Sequence, residues 1–253
     1  MNRATFSFKA ELNDFLARHN RRKTIEHTFD WRASIKDMIE SLGVPHSEVE
    51  AMLVHGRPTT FDYIVRDGDA VVVYPRFDML DLPEEARLRP PIPGKPAFVL
   101  DIHLGRLAAY LRMLGFDSRW RNDFPDDELA QIAHDEKRIL LTRDVGCLKR
   151  SPVIYGYFVR SMNPKKRIAE VIDRFNLAPR VELFKRCMKC NGLVHHVEKG
   201  AILEELPHDT ALYFDEFHQC ESCERIYWKG SHYERMRGLI DDVLGDAAPE
   251  ETE

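Results

Sequence analysis

Two Cys-x-x-Cys knuckles, Cys187-Met-Lys-Cys190 and Cys220-Glu-Ser-Cys223, flank residues 191–219, and no other feature narrows so far what the C-terminal third can fold into. Four thiolates delivered as two close pairs match the tetrahedral preference of Zn²⁺, each pair forming a tight turn that clamps one side of the ion. The spacing predicts a zinc ribbon with Cys187, Cys190, Cys220 and Cys223 as ligands. A thioredoxin-like redox pair needs only one Cys-x-x-Cys, at the start of a helix in a βαβ unit; two structural disulfides are the other competing reading. Neither fits the pattern well. A four-cysteine site has no open coordination position, so any catalysis has to come from elsewhere in the chain. His195 and His196 follow the first knuckle and read as ordinary ribbon residues. The unpaired Cys147 reads as a small core residue.

With 253 residues, 43% hydrophobic and 31% charged, the chain has the composition of a globular protein of one to three domains. No apolar signal core follows Met1 and no long apolar run occurs, so the expectation is a cytoplasmic protein with no membrane partner. The net charge of −5 argues against a uniformly basic nucleic-acid binder. Locally, however, Lys165, Lys166, Arg167, Arg174, Arg180, Lys185, Arg186 and Lys189 make either a phosphate-attracting field or a solvated helix face.

Three blocks follow one another. Residues 4–8 and 23–29 alternate apolar with polar, residues 35–42 carry apolar side chains at helical spacing until Gly43-Val-Pro45, and residues 52–55 and 70–74 read as strands. His55-Gly56-Arg57-Pro58 and Asp67-Gly68-Asp69 read as tight turns. The order ββαββ predicts a β-grasp domain over residues 1–78. Six prolines fall between residues 75 and 96, which makes 79–96 a stiff linker with no regular element running through it. Beyond it, Ala97-Phe-Val-Leu100-Asp101 reads as a buried strand ending in an acid, and Leu104, Leu107, Ala108 and Leu111 as a helix closed by Gly115. A helix over 126–137, a strand over 138–142 followed by Asp144, a strand over 153–159 and a helix over 164–175 complete the pattern. Alternating strands and helices predict an α/β fold, a parallel sheet with helices on both faces, over residues 97–180. The ribbon then occupies 181–240, and an acidic tail 241–253.

In parallel α/β sheets, sites form beyond the carboxyl ends of the strands, where Asp101 and Asp144 fall; Asp126 and Asp127 begin the intervening helix. Two carboxylates about 4 Å apart repel by roughly 4 kcal/mol at an effective dielectric of about 20, so converging acids need a cation between them. Hard oxygen ligands favour Mg²⁺ or Mn²⁺, and such a site activates water for attack on a phosphodiester. Each acid also has a plainer reading, as a helix cap or a charge on a helix dipole.

The first block resembles the ubiquitin-like sulfur carriers in Val54-His-Gly-Arg57 and Arg66-Asp-Gly-Asp-Ala-Val-Val-Val-Tyr74. Those carriers end in a free Gly-Gly, whereas here the chain runs on through Pro75, which turns the expectation from sulfur transfer to a binding or positioning role, with a protein partner docked on this domain. Residues 98–236 resemble the ribonuclease domain named after the carboxy-terminal region of the Mut-seven exonuclease, a PIN-like nuclease fold with a zinc ribbon. The similarity is carried by Phe98-Val-Leu-Asp101, Leu104-Gly-Arg-Leu-Ala108, Leu111-Arg-Met-Leu-Gly115, Asp126-Asp-Glu-Leu129 and Leu140-Leu-Thr-Arg-Asp144. Arg186-Cys-Met-Lys-Cys-Asn-Gly192 and Tyr227-Trp-Lys-Gly-Ser-His-Tyr-Glu-Arg-Met236 extend it. The resemblance implies metal-dependent RNA cleavage with Asp101, Asp126 and Asp144 in the positions of PIN acids and Asp127 as a possible fourth. Where many PIN nucleases place another acid after the fourth strand, this chain offers Ser161 and Asn163.

For RNA contacts the candidates are Arg106, Arg112 and Arg143, whose guanidinium donors suit phosphate, and Trp228, Lys229 and His232, which combine a stacking ring with cations. The leading expectation is an endoribonuclease using Mg²⁺ or Mn²⁺, with structural Zn²⁺. The rival is a non-catalytic RNA- or ribosome-binding adaptor that uses the ribbon and the basic stretch. A third reading is a protein scaffold acting through the β-grasp block alone.

Overall fold

The structure is a computed structural model and describes residues 1–76, 80, 83–92 and 94–244. The chain forms two compact units, Met1–Pro93 with Asp126–Phe158, and Gly94–Pro125 with Val159–Glu253. The α/β block is therefore shared between them, a division that local patterning does not announce.

In the first unit, β1 (Asn2–Phe8) buries Ala4, Phe6 and Phe8 on one face, the period of two that sequence alternation requires. It pairs antiparallel with β2 (Ile25–Phe29) and parallel with β5 (Ala70–Tyr74). Among the described residues the sheet has the order β2-β1-β5-β3-β4, with β3 at Ala51–Val54 and β4 at Arg57–Pro58. Arg57-Pro58, expected as turn, pairs with β3, and the reversal falls on His55 and Gly56, both at positive φ (48° and 78°). Helix α1 (Ile35–Ser41) starts where Ser34 accepts from the Asp37 amide and Asp37 accepts in return from Ser34, a reciprocal cap that satisfies two orphan donors. Ile35, Met38 and Ile39 lie in a core with Phe6, Phe29, Val71 and Val73. This is a β-grasp domain.

The same unit holds α3 (Asp126–Asp135), β8 (Ile139–Thr142), α4 (Val145–Leu148) and β9 (Gly156–Phe158). Every residue of β8 is buried, as expected for a strand covered on both faces, and it pairs in parallel with β9, Leu140 opposite Gly156. The segment after α1 packs onto this α/β piece. The His46 Nε2 lies 3.0 Å from the Val153 carbonyl oxygen, Ser47 Oγ donates to the Leu148 carbonyl at 2.8 Å, and the buried Glu48 carboxylate accepts from the Phe158 amide. Arg89, in the proline-rich stretch, donates to the carbonyls of His46, Ser47, Val49 and Ile154. Within that stretch the regular structure described is one 3-10 turn, Glu84–Ala86.

In the second unit, β6 (Phe98–Leu100) and β7 (Ser118–Trp120) pair in parallel, with α2 (Gly105–Met113) against β7. Phe98 meets Phe116 and Phe175 edge-on at 6.1 and 6.0 Å. Gly115 ends α2 at φ 84°, where an added Cβ would sit 2.2 Å from the Glu182 carbonyl oxygen, so glycine is required there. Helix α5 (Pro164–Phe175) begins with Asn163 accepting from Lys165 and Lys166 and Pro164 in its first turn, and ends at the left-handed Asn176. The ribbon follows as antiparallel β10 (Val194–Val197), β11 (Phe217–Cys220) and β12 (Ile226–Trp228). Helices α6 (Lys199–Ile202) and α7 (His208–Tyr213) lie between the first two, and α8 (Ser231–Leu244) comes after the last. Among the described residues no helix is long and apolar enough to cross a membrane. Residues 245–253 of the expected acidic tail, and 79, 81, 82 and 93 of the expected linker, lie outside the described residues.

Candidate functional site

The two knuckles have the same backbone. Cys187 N–H donates to the Gly192 carbonyl at 2.8 Å and Cys220 N–H to the Arg225 carbonyl at 3.0 Å, while the amides of Asn191 and Glu224 return to the carbonyls of Cys187 and Cys220. Asn191 and Glu224, each just after a second cysteine, adopt positive φ (75° and 59°). Amides of Cys190, Gly192 and Ser222 point at Sγ atoms of Cys187, Cys190 and Cys220 at 3.4 Å. Such donors stabilise thiolate over thiol. The sulfurs of Cys187, Cys190, Cys220 and Cys223 all lie within 4.8 Å of one another, and the closest approaches, 3.4 and 3.6 Å, exceed a disulfide bond of about 2.05 Å. The four sulfurs fit a tetrahedral thiophilic cation, as the spacing predicted.

The protonation of the four sulfurs is linked. Burial opposes ionisation of Cys187, but the Tyr227 hydroxyl at 3.0 Å and the Cys190 and Lys189 amides outweigh it and bring its pKa to about 6. Burial and the neighbouring sulfurs push Cys190 up to about 12. Without a cation, one sulfur ionises at the expense of another. Tyr227 is correspondingly raised, by burial first and then by its bond to Cys187. His195 and His196 lie outside the sulfur cluster: His195 meets Glu221 at 3.2 Å, and His196 meets His218 edge-on.

Arg112, expected to hold phosphate, is 4% exposed. Its Nε donates to the Ser118 carbonyl at 2.9 Å and one terminal nitrogen to the carbonyls of Met188 and Lys189 at 3.1 and 3.0 Å. Burial lowers its pKa, and the negative charge of Cys187 and Cys190 opposes that shift. This corrects the expectation: the guanidinium is an internal strut between α2, β7 and the first knuckle. Asn191 completes the join, accepting from Ser118 N–H at 2.9 Å and donating to Asp117 at 2.8 Å. Of the other basic candidates, Arg106 is exposed, Arg143 lies 5.5 Å over the Phe158 ring, and Lys229 pairs with Glu216 at 3.2 Å. Trp228 is half-buried, and the His232 side chain lies outside the described residues. Within the basic stretch, Lys165 pairs with Asp242 and Arg186 with Asp117, and Arg167 donates to the Ser161 carbonyl. Internal contacts thus absorb part of the charge that looked free in the sequence.

The expected acids divide between the units. Asp101, 9% exposed, caps the 3-10 turn Ile102–Leu104 by accepting from the His103 amide. Asp126, Asp127 and Asp144 belong to the first unit. Asp144 Oδ1 accepts from the Gly146 and Cys147 amides at 2.6 and 3.3 Å and caps α4, which leaves Oδ2 outside the cap. The Cys147 thiol, buried as expected, lies 4.0 Å from the Asp126 carbonyl oxygen. This contact, made to the backbone of Asp126, ties the start of α3 to the start of α4. Arg150 approaches Asp126 Oδ2 at 3.8 Å, a neighbour that sequence spacing gave no means to foresee. Asp127 is exposed at the head of the same helix. Of the two neutral groups after the last strand, Asn163 is used as the α5 cap and Ser161 N–H donates to Glu170.

A family model described as the Mut7-C RNAse domain matches residues 96–240, and one described as Mut7-C ubiquitin matches residues 1–81. No curated protein and no solved structure matches the chain.

Proposed function

Because the chain belongs to the Mut7-C RNAse family, a nuclease-type domain that here follows a Mut7-C ubiquitin domain, we infer that it is a metal-dependent endoribonuclease. The observation that supports this most is that Cys147, whose amide donates to the Asp144 carboxylate, also places its thiol 4.0 Å from the backbone carbonyl of Asp126 and so ties together the starts of the two helices that carry these acids. Asp144 lies just past the carboxyl end of β8, where a parallel sheet places its chemistry. Asp126 and Asp144, with Asp127, are the residues of the first unit that would hold Mg²⁺ or Mn²⁺, since hard carboxylate oxygens suit those ions, and Asp101 is the further acid that the family resemblance implies. When bound, such an ion lowers the pKa of water and neutralises charge on a phosphodiester. The Asp144 cap fixes one carboxylate oxygen on two amides and so orients the other. Arg143, beside it, and Arg106 supply guanidinium donors to phosphate, and the Trp228-Lys229-His232 segment at the ribbon end supplies a stacking ring and cationic groups. The four cysteines hold structural Zn²⁺, and the ubiquitin-like domain presents a surface for a protein partner in the cytoplasm.

Asp144→Asn is a clean test, because Asn caps a helix about as well as Asp. The fold should persist while cleavage of single-stranded RNA in Mn²⁺ falls by on the order of 10²-fold or more. Equal cleavage by both proteins would remove this acid from the mechanism. Salt-sensitive RNA binding with no cleavage at any Mn²⁺ concentration would instead establish the adaptor reading.

A further inference from the structure

We propose that the ubiquitin-like domain works in cis, as the positioning element of the acidic loop: Phe15, Ser47 and Glu48 hold Phe158 and α4, and through them Arg143 and Asp144. The catalytic consequence rests on the nuclease reading above. The chain of contacts rests on geometry alone.

Phe158 ends β9 and is held on three sides. Glu48, 0% exposed, accepts from its backbone amide. The Phe15 ring meets its ring edge-on, centroids 5.6 Å apart at 79°. The Arg143 guanidinium, in the bend between β8 and Asp144, lies 5.5 Å from the ring centroid. A buried carboxylate is costly unless it is hydrogen-bonded, so Glu48 on this amide is a directional anchor. Phe15 is itself fixed. The buried Asn13 amide donates to the Phe8 and Ala10 carbonyls at 2.8 and 3.0 Å and closes the turn Ala10–Phe15.

Helix α4 is gripped from the opposite end. Asp144 takes its first amides, while Ser47 Oγ donates to the Leu148 carbonyl at 2.8 Å and Lys149 Nζ to the Glu40 carbonyl at 2.6 Å. One turn of helix does not sustain itself, because nucleation fixes several residues for a single hydrogen bond. The tilt of α4, and with it the direction of Asp144, is therefore set by the domain that holds its C-terminal end. A displacement of about 1 Å at a catalytic group can cost roughly 10²-fold in rate. The N-terminal domain is thus part of the active-site scaffold.

The test uses the full chain with Phe15→Ala, Phe15→Tyr and Ser47→Ala, read by RNA cleavage in Mn²⁺ and by amide hydrogen exchange. The expected result is a kcat roughly ten- to a hundredfold lower in Ser47→Ala with KM for RNA unchanged. Phe15→Ala should show a similar loss, restored by Phe15→Tyr. In both damaged variants the Gly146 and Cys147 amides should exchange faster while the β1 and β5 amides stay protected. Unaltered exchange at Gly146 and Cys147 would overturn the proposal, as would uniform loss of protection across the first unit, which would mark a purely structural role. Faster exchange at those two amides in a protein that cleaves no RNA would sink the nuclease reading and leave the positioning role standing.

Discussion

The guanidinium of Arg112 donates to the backbone carbonyl of Met188, the residue that follows the first knuckle cysteine, at 3.1 Å. A side chain near the end of α2 thereby holds the ribbon's first turn, and the sulfur cluster and β7 share one buried strut.

Arg112→Lys removes the planar fork and leaves two or more of the Ser118, Met188 and Lys189 carbonyls without a donor. Unsatisfied buried acceptors cost about 1–3 kcal/mol each. We expect a lower thermal midpoint and faster zinc release to a colorimetric chelator, with RNA affinity changed only as far as the fold is lost. Full zinc retention and an unchanged midpoint would show that Arg112 is not a strut.

Removing the metal should unfold the ribbon. Structural zinc supplies about 10–16 kcal/mol in small modules, and the metal-free sulfurs compete for charge, with Cys187 at about 6 and Cys190 at about 12. Elemental analysis should give one zinc per chain. Cys220→Ser should lose the metal and the ribbon's protection against proteolysis, while the β-grasp core stays intact.

Gly156→Ala tests the join between the first domain and β9. An added Cβ would lie 2.6 Å from Leu148 Cδ2 and 2.7 Å from Ser47 Oγ, and Ser47 is held by its bond to Leu148. Overpacking of this kind costs about 1–3 kcal/mol. Urea unfolding should show that loss, and adding Ser47→Ala should give less than the sum of the two single effects, because the two side chains contend for one space.

The Tyr63 hydroxyl donates to the buried Asp69 carboxylate at 3.0 Å. Burial first, and then this bond and the Asp69 charge, raise its pKa above 10.0. The folded chain holds this proton more tightly than the unfolded chain does. The stabilisation is therefore complete below the unfolded value near 10 and is lost as pH rises through the folded value. Tyr63→Phe should cost about 1 kcal/mol at pH 8, and the gap between variant and parent should narrow above pH 10. A gap independent of pH would exclude the proton linkage.

Most elements were legible because their signals are local. Alternation in β1, the helical spacing from Ile35, the helix beginning at Pro164 and Gly115 after α2 each act within a few residues, and each appears where the pattern put it. The four cysteines were legible for a related reason, since a knuckle is a local turn and tetrahedral zinc has few other partners. β7 was not, because three residues, Ser118–Trp120, carry no period of their own and become a strand only through pairing with β6.

Tertiary structure alone decided which charges face inward and which domain touches what. Arg112 and Arg106 lie on one helix with the same chemistry in the sequence, yet one is buried against three carbonyls and the other is exposed. Likewise nothing in the Pro45-His-Ser-Glu-Val49 segment indicates that Ser47 and Glu48 take up groups of Leu148 and Phe158, about a hundred residues away. Periodicity and spacing encode interactions a few residues apart, where chain geometry dictates the partner. A hydrogen bond between distant segments depends on how the elements pack, and one sequence read along its length does not contain that distance.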